Sequence, residues 1–183
     1  MASRVLYFAY GSNLLPTRLQ RRCPGARIKT LACARGYRVA FDKLSEDTSG
    51  KANLVRSGST AAAFGVVYEI PSAEVDALDT VEGSGYARQE GFAVSCMASG
   101  KRLRTMTYMA QQNVPGLLPF DWYLALVLGG LRVHAADADY ALAFESAEFV
   151  TDPELSRPTR LNALRDLAAA GFTDYADLLR ADT

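Results

Sequence analysis

Runs of apolar residues separated by short polar clusters dominate the first 110 residues of the chain. Apolar runs of this length, bounded by Gly, Pro, Asn or Ser, are typical of β-strands. The last two runs flank the turn 98–101 and predict a β-hairpin, whereas the polar stretch 43–52 predicts a loop. The predicted strands cover 4–9, two segments of 26–41 on either side of Arg35-Gly36, 53–56, 61–70, 86–97 and 103–110.

Apolar residues at helical spacing predict helices between and after these strands. Residues with short oxygen-bearing side chains are placed to cap three of them: Asn13 for a helix to about residue 22, Ser72 for a helix to residue 82, and Thr173 for the last helix. Further helices are predicted at 120–131, at 138–149 and around Leu161, Leu164 and Leu167.

Strands first and helices last predict an α+β protein. We expect a small mixed sheet that closes into a β-barrel flanked by helices, followed by a helical C-terminal tail. The barrel and its first helices would occupy residues 1–150, and the extension 151–183 would pack on the same domain. A length of 183 residues, with 49% apolar and 22% charged residues, fits one globular domain with a substantial core.

Balanced charge limits what the chain can bind. Lys and Arg together number 20, as do Asp and Glu, so no basic field is available for nucleic acid or an anionic membrane. The locally basic stretch 18–22 is expected to be a solvated helix face.

No apolar run approaches the roughly 20 residues of a membrane helix, and the start lacks a signal-peptide pattern. Three scattered cysteines form no disulfide framework, so we expect a reducing, cytoplasmic setting.

The sequence offers little to metal or serine chemistry. Its single histidine, His134, is expected at the surface near a helix end, and no carboxylate cluster offers a cation cage, so we expect no metal site and no cofactor. Ser12 follows Gly11 but lacks the Gly-x-Ser-x-Gly elbow of serine hydrolases, and a triad would have to use His134. The glycine-rich phosphate loops are absent.

Carboxylate chemistry has a better candidate in Glu82. Val75, Leu78 and Glu82 fall on one helical face, so the two apolar residues should carry the acid inward with them. A carboxyl in such a position is suited to give and take protons near neutrality. Glu74 should point into water, and Asp79 flanks the face. The alternative is that Glu82 lies in a fraying last turn, exposed to solvent.

The second candidate element is the turn Tyr10-Gly11-Ser12-Asn13, which follows the first strand. A turn at the start of a helix directs backbone N–H groups outward, where they attract anions and developing negative charge. Gly11 lets the backbone approach a ligand closely. Such turns are common, so this one predicts no particular reaction by itself.

Four segments resemble, in order and spacing, motifs of the γ-glutamylcyclotransferase family over about residues 5–149. They are LYFAYGSNL at 6–14, GVVY at 65–68, LDTVEG at 78–83 followed by Tyr86, and WYLALVLGG at 122–130, which carries Tyr123. The resemblance implies a small β-barrel with helices around it and no cofactor. It also implies a lyase- or acyltransferase-type enzyme of glutathione metabolism, which cyclises a γ-glutamyl group to 5-oxoproline and releases an amine or an amino acid.

The resemblance further implies roles for particular residues. Glu82 would take a proton from the substrate's ammonium group and return it to the leaving nitrogen. The backbone of the first motif would hold the γ-glutamyl part, with N–H groups near Gly11 and Ser12 stabilising the oxyanion, while Tyr86 and Tyr123 shape the pocket. The implied substrate-binding residues are Tyr7, Phe8, Ala9, Tyr10, Gly11, Ser12, Asn13, Tyr86 and Tyr123.

The leaving group and the oligomeric state stay open. The loops 43–52 and 111–119 should contact the leaving group, and neither has a pattern that identifies it. The implied partner is a small γ-glutamyl molecule, and neither nucleic acid nor a membrane is implied. The tail could pack on the barrel, form a homodimer contact or shield the pocket.

Three other functions compete with this one. They are a non-catalytic binding module on the same fold, a relative that removes a γ-glutamyl protecting group in a biosynthetic pathway, and serine hydrolysis through Ser12 and His134.

Overall fold

A closed barrel of five strands forms the centre of the protein in the computed structural model, which describes residues 3–180. The strands of the chain are β1 Arg4–Ala9, β2 Arg27–Arg35, β3 Tyr37–Leu44, β4 Gly50–Arg56, β5 Ala62–Pro71, β6 Tyr86–Cys96 and β7 Arg102–Ala110. The barrel order is β1-β5-β2-β6-β7, with antiparallel neighbours. A parallel pairing of Tyr7 with Met106 closes it between β1 and β7. The predicted α+β class and the mixed, closed sheet are confirmed.

The remaining strands, β3 and β4, form a separate two-stranded ribbon, and the loop predicted at 43–52 shrinks to 45–49. The ribbon is longer than predicted because Lys43 pairs with Lys51, and Gly50 continues the ladder. Gly50 fits there because a Cβ at its position would lie 2.4 Å from the carbonyl oxygen of Phe41. The sequence indicated a loop because lysine, serine and glycine mask the apolar alternation that marks a strand.

Six α-helices and two 3₁₀ turns surround the barrel within the described residues. The 3₁₀ turns are Ser12–Leu14 and Ser72–Glu74, and the helices are α1 Pro16–Arg22, α2 Val75–Glu82, α3 Asp121–Val133, α4 Ala138–Glu145, α5 Pro158–Ala169 and α6 Ala176–Leu179. Over residues 3–180, no helix has both the length and the hydropathy that a lipid bilayer requires.

The three predicted helix caps are wrong. Asn13 lies inside the first 3₁₀ turn, and α1 begins only at Pro16 without a side-chain cap. The hydroxyl of Ser72 donates to the backbone carbonyl of Ser3 instead of capping a helix. Thr173 stands two positions before the N-cap of α6, which has no side-chain cap either. Tertiary contacts and 3₁₀ turns thus displace the caps that the local sequence indicated.

The buried helix α3 joins the barrel to the other helices. Gly130 brings it against the turn after β1, since a Cβ there would lie 2.4 Å from the Cβ of Leu14. Gly129 faces the other way, towards Leu167 of α5 and the ring of Phe172. The segment after residue 150 therefore packs on the same helix that supports the turn.

Substituting Gly130 with alanine should destabilise the protein. Alanine is the better helix former by about 1 kcal/mol, but the added methyl would also lie 2.9 Å from backbone atoms of Leu14 and Leu15, which cannot yield without moving the turn. Overpacking of this kind typically costs about 1–3 kcal/mol. We therefore expect Gly130→Ala to lower the midpoint of thermal unfolding by several degrees. Gly58→Ala is the control, because a methyl there has no neighbour within 4 Å; an equal or higher midpoint for Gly130→Ala would contradict the close approach.

Candidate active site

The chain leaves the barrel at the end of β1 and forms one wall of a pocket, here called the tyrosine pocket. The pocket is small and opens to solvent, and the space within it and its opening together is about 290 Å³. Of the residues that the sequence assigned to the site, all line this pocket except Phe8 and Ala9. The lining residues are Tyr7, Tyr10, Gly11, Ser12, Asn13, Ala52, Glu82, Tyr86, Tyr108 and Tyr123.

Glu82 enters the pocket from the last turn of α2. Val75 and Leu78 are buried on the same helical face, so the periodicity carries the acid inward as the sequence predicted. The Glu82 side chain is only 15% exposed. Gly83 ends the helix with a positive φ of 72° and turns the chain away. The alternative of a solvated last turn is therefore wrong.

One oxygen of the Glu82 carboxylate is held by two donors. Its Oε1 accepts a hydrogen bond from Nδ2 of Asn13 at 3.0 Å and another from Nη1 of Arg22 at 3.1 Å. Its Oε2 accepts no hydrogen bond from any residue in the described range. The carboxyl is thus fixed in orientation while one oxygen stays available to a ligand.

Asn13 is the centre of this arrangement rather than a helix cap. Its Nδ2 also lies 3.0 Å from the hydroxyl of Tyr7, and its Oδ1 accepts a hydrogen bond from Nη1 of Arg22 at 2.9 Å. The amide therefore connects β1, α1 and the end of α2 in a single polar cluster. A buried amide that satisfies three neighbours fixes their relative positions.

Three successive backbone N–H groups of the turn are free within the described residues, although the carbonyl oxygens of Gly11 and Ser12 accept hydrogen bonds within it. The N–H groups of Gly11, Ser12 and Asn13 find no acceptor among residues 3–180, although they lie at the pocket wall. Gly11 is closely packed, because a Cβ at its position would lie 2.8 Å from the Cβ of Ala52 and 3.5 Å from the hydroxyl of Tyr123. Three neighbouring donors without acceptors can stabilise negative charge on a bound oxygen.

Two tyrosines hold the β3–β4 ribbon against the pocket. The hydroxyl of Tyr86 donates to the carbonyl oxygen of Ala52 at 2.6 Å, and the N–H of Ala52 donates to the hydroxyl of Tyr123 at 3.0 Å. Burial raises the pKa of Tyr86 well above its usual range, and burial with the charge of Glu82 does the same to the pKa of Tyr7. At neutral pH these groups are therefore neutral hydroxyls and not bases.

Phe8 and Ala9, which the family resemblance placed at the substrate, lie in the barrel wall instead. Both pair with β5, and the carbonyl oxygen of Phe8 accepts a hydrogen bond from the hydroxyl of Thr107 at 2.8 Å. The ring of Phe8 stacks on Phe92 with centroids 6.1 Å apart. Both residues belong to the ladder with β5, and neither lines the pocket, so the pair supports the turn without reaching the substrate space.

The acids beside Glu82 have structural contacts. Glu74, expected in water, accepts a hydrogen bond from the backbone N–H of Gly25 at 3.0 Å. Asp79 accepts one from the hydroxyl of Tyr108 and one from Arg88, each at 2.6 Å. Neither carboxylate lines the pocket, although Asp79 contacts its wall through Tyr108, and Glu82 is the acid that reaches it.

The arginines of the basic stretch 18–22 are the functional residues that the sequence reasoning missed. The expected solvated face is wrong for Arg18 and Arg22, since Arg22 holds Glu82 and Arg18 is only 6% exposed. A usable signal existed in the sequence: Leu15, Leu19 and Arg22 fall at i, i+4 and i+7, which is one face of a helix, and both leucines are fully buried.

His134 lies at the end of α3, as predicted, but it is half-buried rather than on the surface. Its Nε2 lies 2.9 Å from the carbonyl oxygen of Leu14, and burial lowers its pKa. The hydroxyl of Ser12 accepts a hydrogen bond from Nε of Arg18 at 3.1 Å. No group of three or more metal-binding side chains occurs within residues 3–180.

Comparisons with known proteins point to one family. A family model described as gamma-glutamyl cyclotransferase, AIG2-like, matches residues 7–124. The human gamma-glutamylcyclotransferase is 32% identical to the chain over 161 residues, and the bovine gamma-glutamylcyclotransferase is 28% identical over 149 residues; each alignment covers 78% of both proteins. A solved structure of a gamma-glutamyl cyclotransferase is similar with a TM-score of 0.78 at 23% identity, covering 89% of this chain and 99% of that one.

The central place of Asn13 can be tested through stability. Asn13→Ala leaves the buried Tyr7 hydroxyl without its donor and removes one partner each from Glu82 and Arg22. Such a loss should lower the free energy of unfolding by about 1–3 kcal/mol in urea titrations. The control is Asn113→Ala, which removes one exposed hydrogen bond to Asp42 and should cost no more than about 0.5 kcal/mol. Equal losses in the two variants would contradict the cluster.

Proposed function

Because the chain belongs to the γ-glutamylcyclotransferase family, we propose that it converts a γ-glutamyl amine or γ-glutamyl amino acid into 5-oxoproline and a free amine in the tyrosine pocket. Glu82 acts as the general base and then as the general acid. The observation that carries the proposal is that one fixed carboxyl and three unengaged backbone N–H groups share a single small pocket. Intramolecular acyl transfer needs both, since one moves protons and the others stabilise an oxyanion.

The reaction begins at the α-ammonium group of the γ-glutamyl substrate. Glu82 accepts a proton from it, and the resulting amine attacks the γ-carbonyl carbon of the same glutamyl group. Ring closure places negative charge on the carbonyl oxygen and releases a second proton from the attacking nitrogen. Glu82 hands its first proton to the leaving nitrogen and then takes the second proton from the attacking nitrogen. The oxyanion re-forms the carbonyl as the bond between the γ-carbon and the protonated leaving nitrogen breaks. Glu82 gives its second proton to the released amine, which departs as an ammonium ion and leaves the carboxylate regenerated.

The free N–H groups of Gly11, Ser12 and Asn13 are suited to the oxyanion of the tetrahedral intermediate. Fixed donors of this kind need no reorganisation when charge develops, and losing one typically costs about 10²–10³-fold in turnover. They belong to a turn whose position is set by β1 on one side and by α3 on the other. The donors would therefore be in place before the substrate binds.

The hydrogen bonds at Oε1 of Glu82 support its role as a proton carrier. Asn13 and Arg22 hold this oxygen, so the carboxyl cannot rotate away from the turn. Oε2 is then the atom that exchanges protons with the two substrate nitrogens. A single carboxyl can serve both because the attacking and leaving nitrogens are bonded to the same carbon in the intermediate.

The energetics of this reaction require no cofactor. The nucleophile and the carbonyl belong to one molecule, so a pocket that holds the substrate folded supplies several kcal/mol of the barrier reduction through orientation. Proton transfer by a positioned carboxyl contributes a further factor of roughly 10²–10⁴.

Substitution of Glu82 tests the proposal directly. Glu82→Gln keeps the size of the side chain and an acceptor for Asn13 but cannot carry a proton, so turnover should fall at least about 10²-fold. The product to measure is 5-oxoproline, detected by mass spectrometry from a panel of γ-glutamyl dipeptides and γ-glutamyl amines. The variant should stay folded, with an unfolding midpoint lowered by several degrees because Arg22 loses its counter-charge.

Glu148→Gln is the matched control, because Glu148 is exposed and lies outside the pocket. Full activity of Glu82→Gln would remove Glu82 from the mechanism. Binding of γ-glutamyl compounds by the wild-type protein without any 5-oxoproline would indicate a non-catalytic binding module instead.

Serine hydrolysis through Ser12 and His134 is tested by His134→Ala. The Ser12 hydroxyl contacts Arg18, which is no base, and Nε2 of His134 contacts the carbonyl of Leu14. We expect the variant to keep turnover within about a factor of a few of wild type, since histidine has no part in the proposed proton transfer. A folded but inactive His134→Ala protein would revive the serine mechanism.

A further inference from the structure

A second groove, here called the arginine groove, shares no lining residue with the tyrosine pocket. The residues that line it are Arg35, Tyr37, Arg56, residues 91–95, Gly100 and Arg102. They come from β6, from the β6–β7 turn and from the ends of β2, β3, β4 and β7. The space within the groove and its opening together is about 1180 Å³, against about 290 Å³ for the tyrosine pocket. It can therefore take a much larger ligand.

The arginine groove follows one edge of β6. Successive side chains of a strand point to opposite faces, so a cavity above one face would be lined by alternate residues. Here consecutive residues, 91–95, all line the groove. The ladder between β2 and β6 ends at the pair of Cys33 with Ser95, whereas Ala34 and Arg35 pair with β5. Among residues 3–180, no strand thus pairs with β6 along this edge between residues 91 and 94.

An unpaired strand edge offers N–H and C=O groups to another extended chain. Residues 92–94 pair with β7 on their other side, so this part of β6 is held extended before any partner arrives. Gly91 and Gly100 leave the groove open, because a Cβ at either position would meet no atom within 4 Å. At about 3.3 Å a residue, the edge from 92 to 95 can pair with about 13 Å of a peptide.

The arginine groove has three positive charges and no carboxylate among its lining residues. Arg35, Arg56 and Arg102 are exposed, and none of them forms a salt bridge or a side-chain hydrogen bond in the part of the chain that the structure describes. Glu90, the acid next to the edge of β6, is held by Arg88 at 2.8 Å. In a chain whose charges balance, the groove is therefore a local surplus of positive charge.

Aromatic rings hold the base of the β3–β4 ribbon beside this edge. The guanidinium of Arg56 lies over the ring of Tyr37, 5.4 Å from its centre. The ring of Tyr37 meets the ring of Phe92 edge to face, with centroids 5.2 Å apart. Phe92 in turn stacks on Phe8 of β1. An arginine that is positioned in this way loses less conformational freedom when it binds a carboxylate.

We propose that the arginine groove binds an extended, acidic peptide segment of a partner protein. The backbone of the segment adds as a strand to the free edge of β6, and its carboxylates pair with Arg35, Arg56 and Arg102. The free edge favours a peptide over a nucleic acid, because a nucleic acid has no amide groups that continue a β-ladder. The inference is independent of the reaction proposed for the tyrosine pocket.

Fluorescence anisotropy with three labelled heptapeptides tests the inference. The first alternates glutamate and valine, the second has glutamine in place of each glutamate, and the third has proline in place of each valine, which removes backbone donors. The first should bind wild type at least about tenfold more tightly than either of the others, the value of one charge-assisted hydrogen bond. Equal binding of the glutamine peptide or of the proline peptide would overturn the inference, since charge or strand pairing would then have no part.

Replacement of the groove arginines tests the location. The triple variant Arg35→Gln, Arg56→Gln and Arg102→Gln should bind the glutamate peptide at least about tenfold more weakly than wild type. The control changes three exposed arginines outside the groove, so that the net charge falls equally. These are Arg27→Gln, Arg38→Gln and Arg132→Gln. The control should stay within about twofold of wild type, because distant surface charges are screened by salt. Equal losses in the two variants would assign binding to net charge and overturn the inference.

Amide hydrogen exchange locates the bound peptide on the wild-type protein without any substitution. The glutamate peptide should slow exchange at residues 92–95, because strand addition engages N–H groups along that edge. Protection elsewhere with no change in β6 would overturn the inference.

A short oligothymidylate is the last probe. It should bind wild type more weakly than the glutamate peptide does. Tighter binding of the oligonucleotide, lost in the triple variant of the groove, would assign the groove to nucleic acid and overturn the peptide inference.

Discussion

The ion pair between Glu82 and Arg22, bridged by Asn13, is the constraint on which the site depends. Both charged side chains are largely shielded from water, with 15% and 13% of their side-chain surface exposed. Removing one partner of such a pair leaves an uncompensated charge, so the arrangement is costly to break even where its net stabilisation is small. The pair joins the last turns of α1 and α2, and Asn13 ties both to the turn after β1. The position of one carboxyl oxygen is therefore determined by three separate segments of the chain.

The barrel and α3 supply the rigidity that this cluster needs. β1 is held on both sides, by β5 along its whole length and by β7 at the point of closure. α3 presses on the turn from the opposite direction, and Gly130 permits the close contact. Because the backbone donors of the turn lie between these two supports, the fold fixes them without engaging them in hydrogen bonds of its own.

Local periodicity predicted the strands of the barrel, the β6–β7 hairpin and the inward direction of Glu82, because each depends on residues a few positions apart. Arg22 shows the same helical signal with Leu15 and Leu19, and it was overlooked because charged stretches usually face solvent. Asn13 could not be placed from its neighbours alone: its partner Glu82 is 69 positions away, and tertiary hydrogen bonds decided its role. The counter-ion of Arg18, 148 positions away, is beyond any local pattern for the same reason.

The position of Asp166 on α5 shows how much of the chain the site requires. The family model stops at residue 124, in the first turn of α3, yet the carboxylate that pairs with both Arg18 and Arg21 comes from α5. Arg18 in turn contacts Ser12 in the turn after β1. A chain cut at the boundary of the matched region would leave like charges facing each other beneath the turn. The smallest piece of this protein that keeps its site intact therefore includes α5.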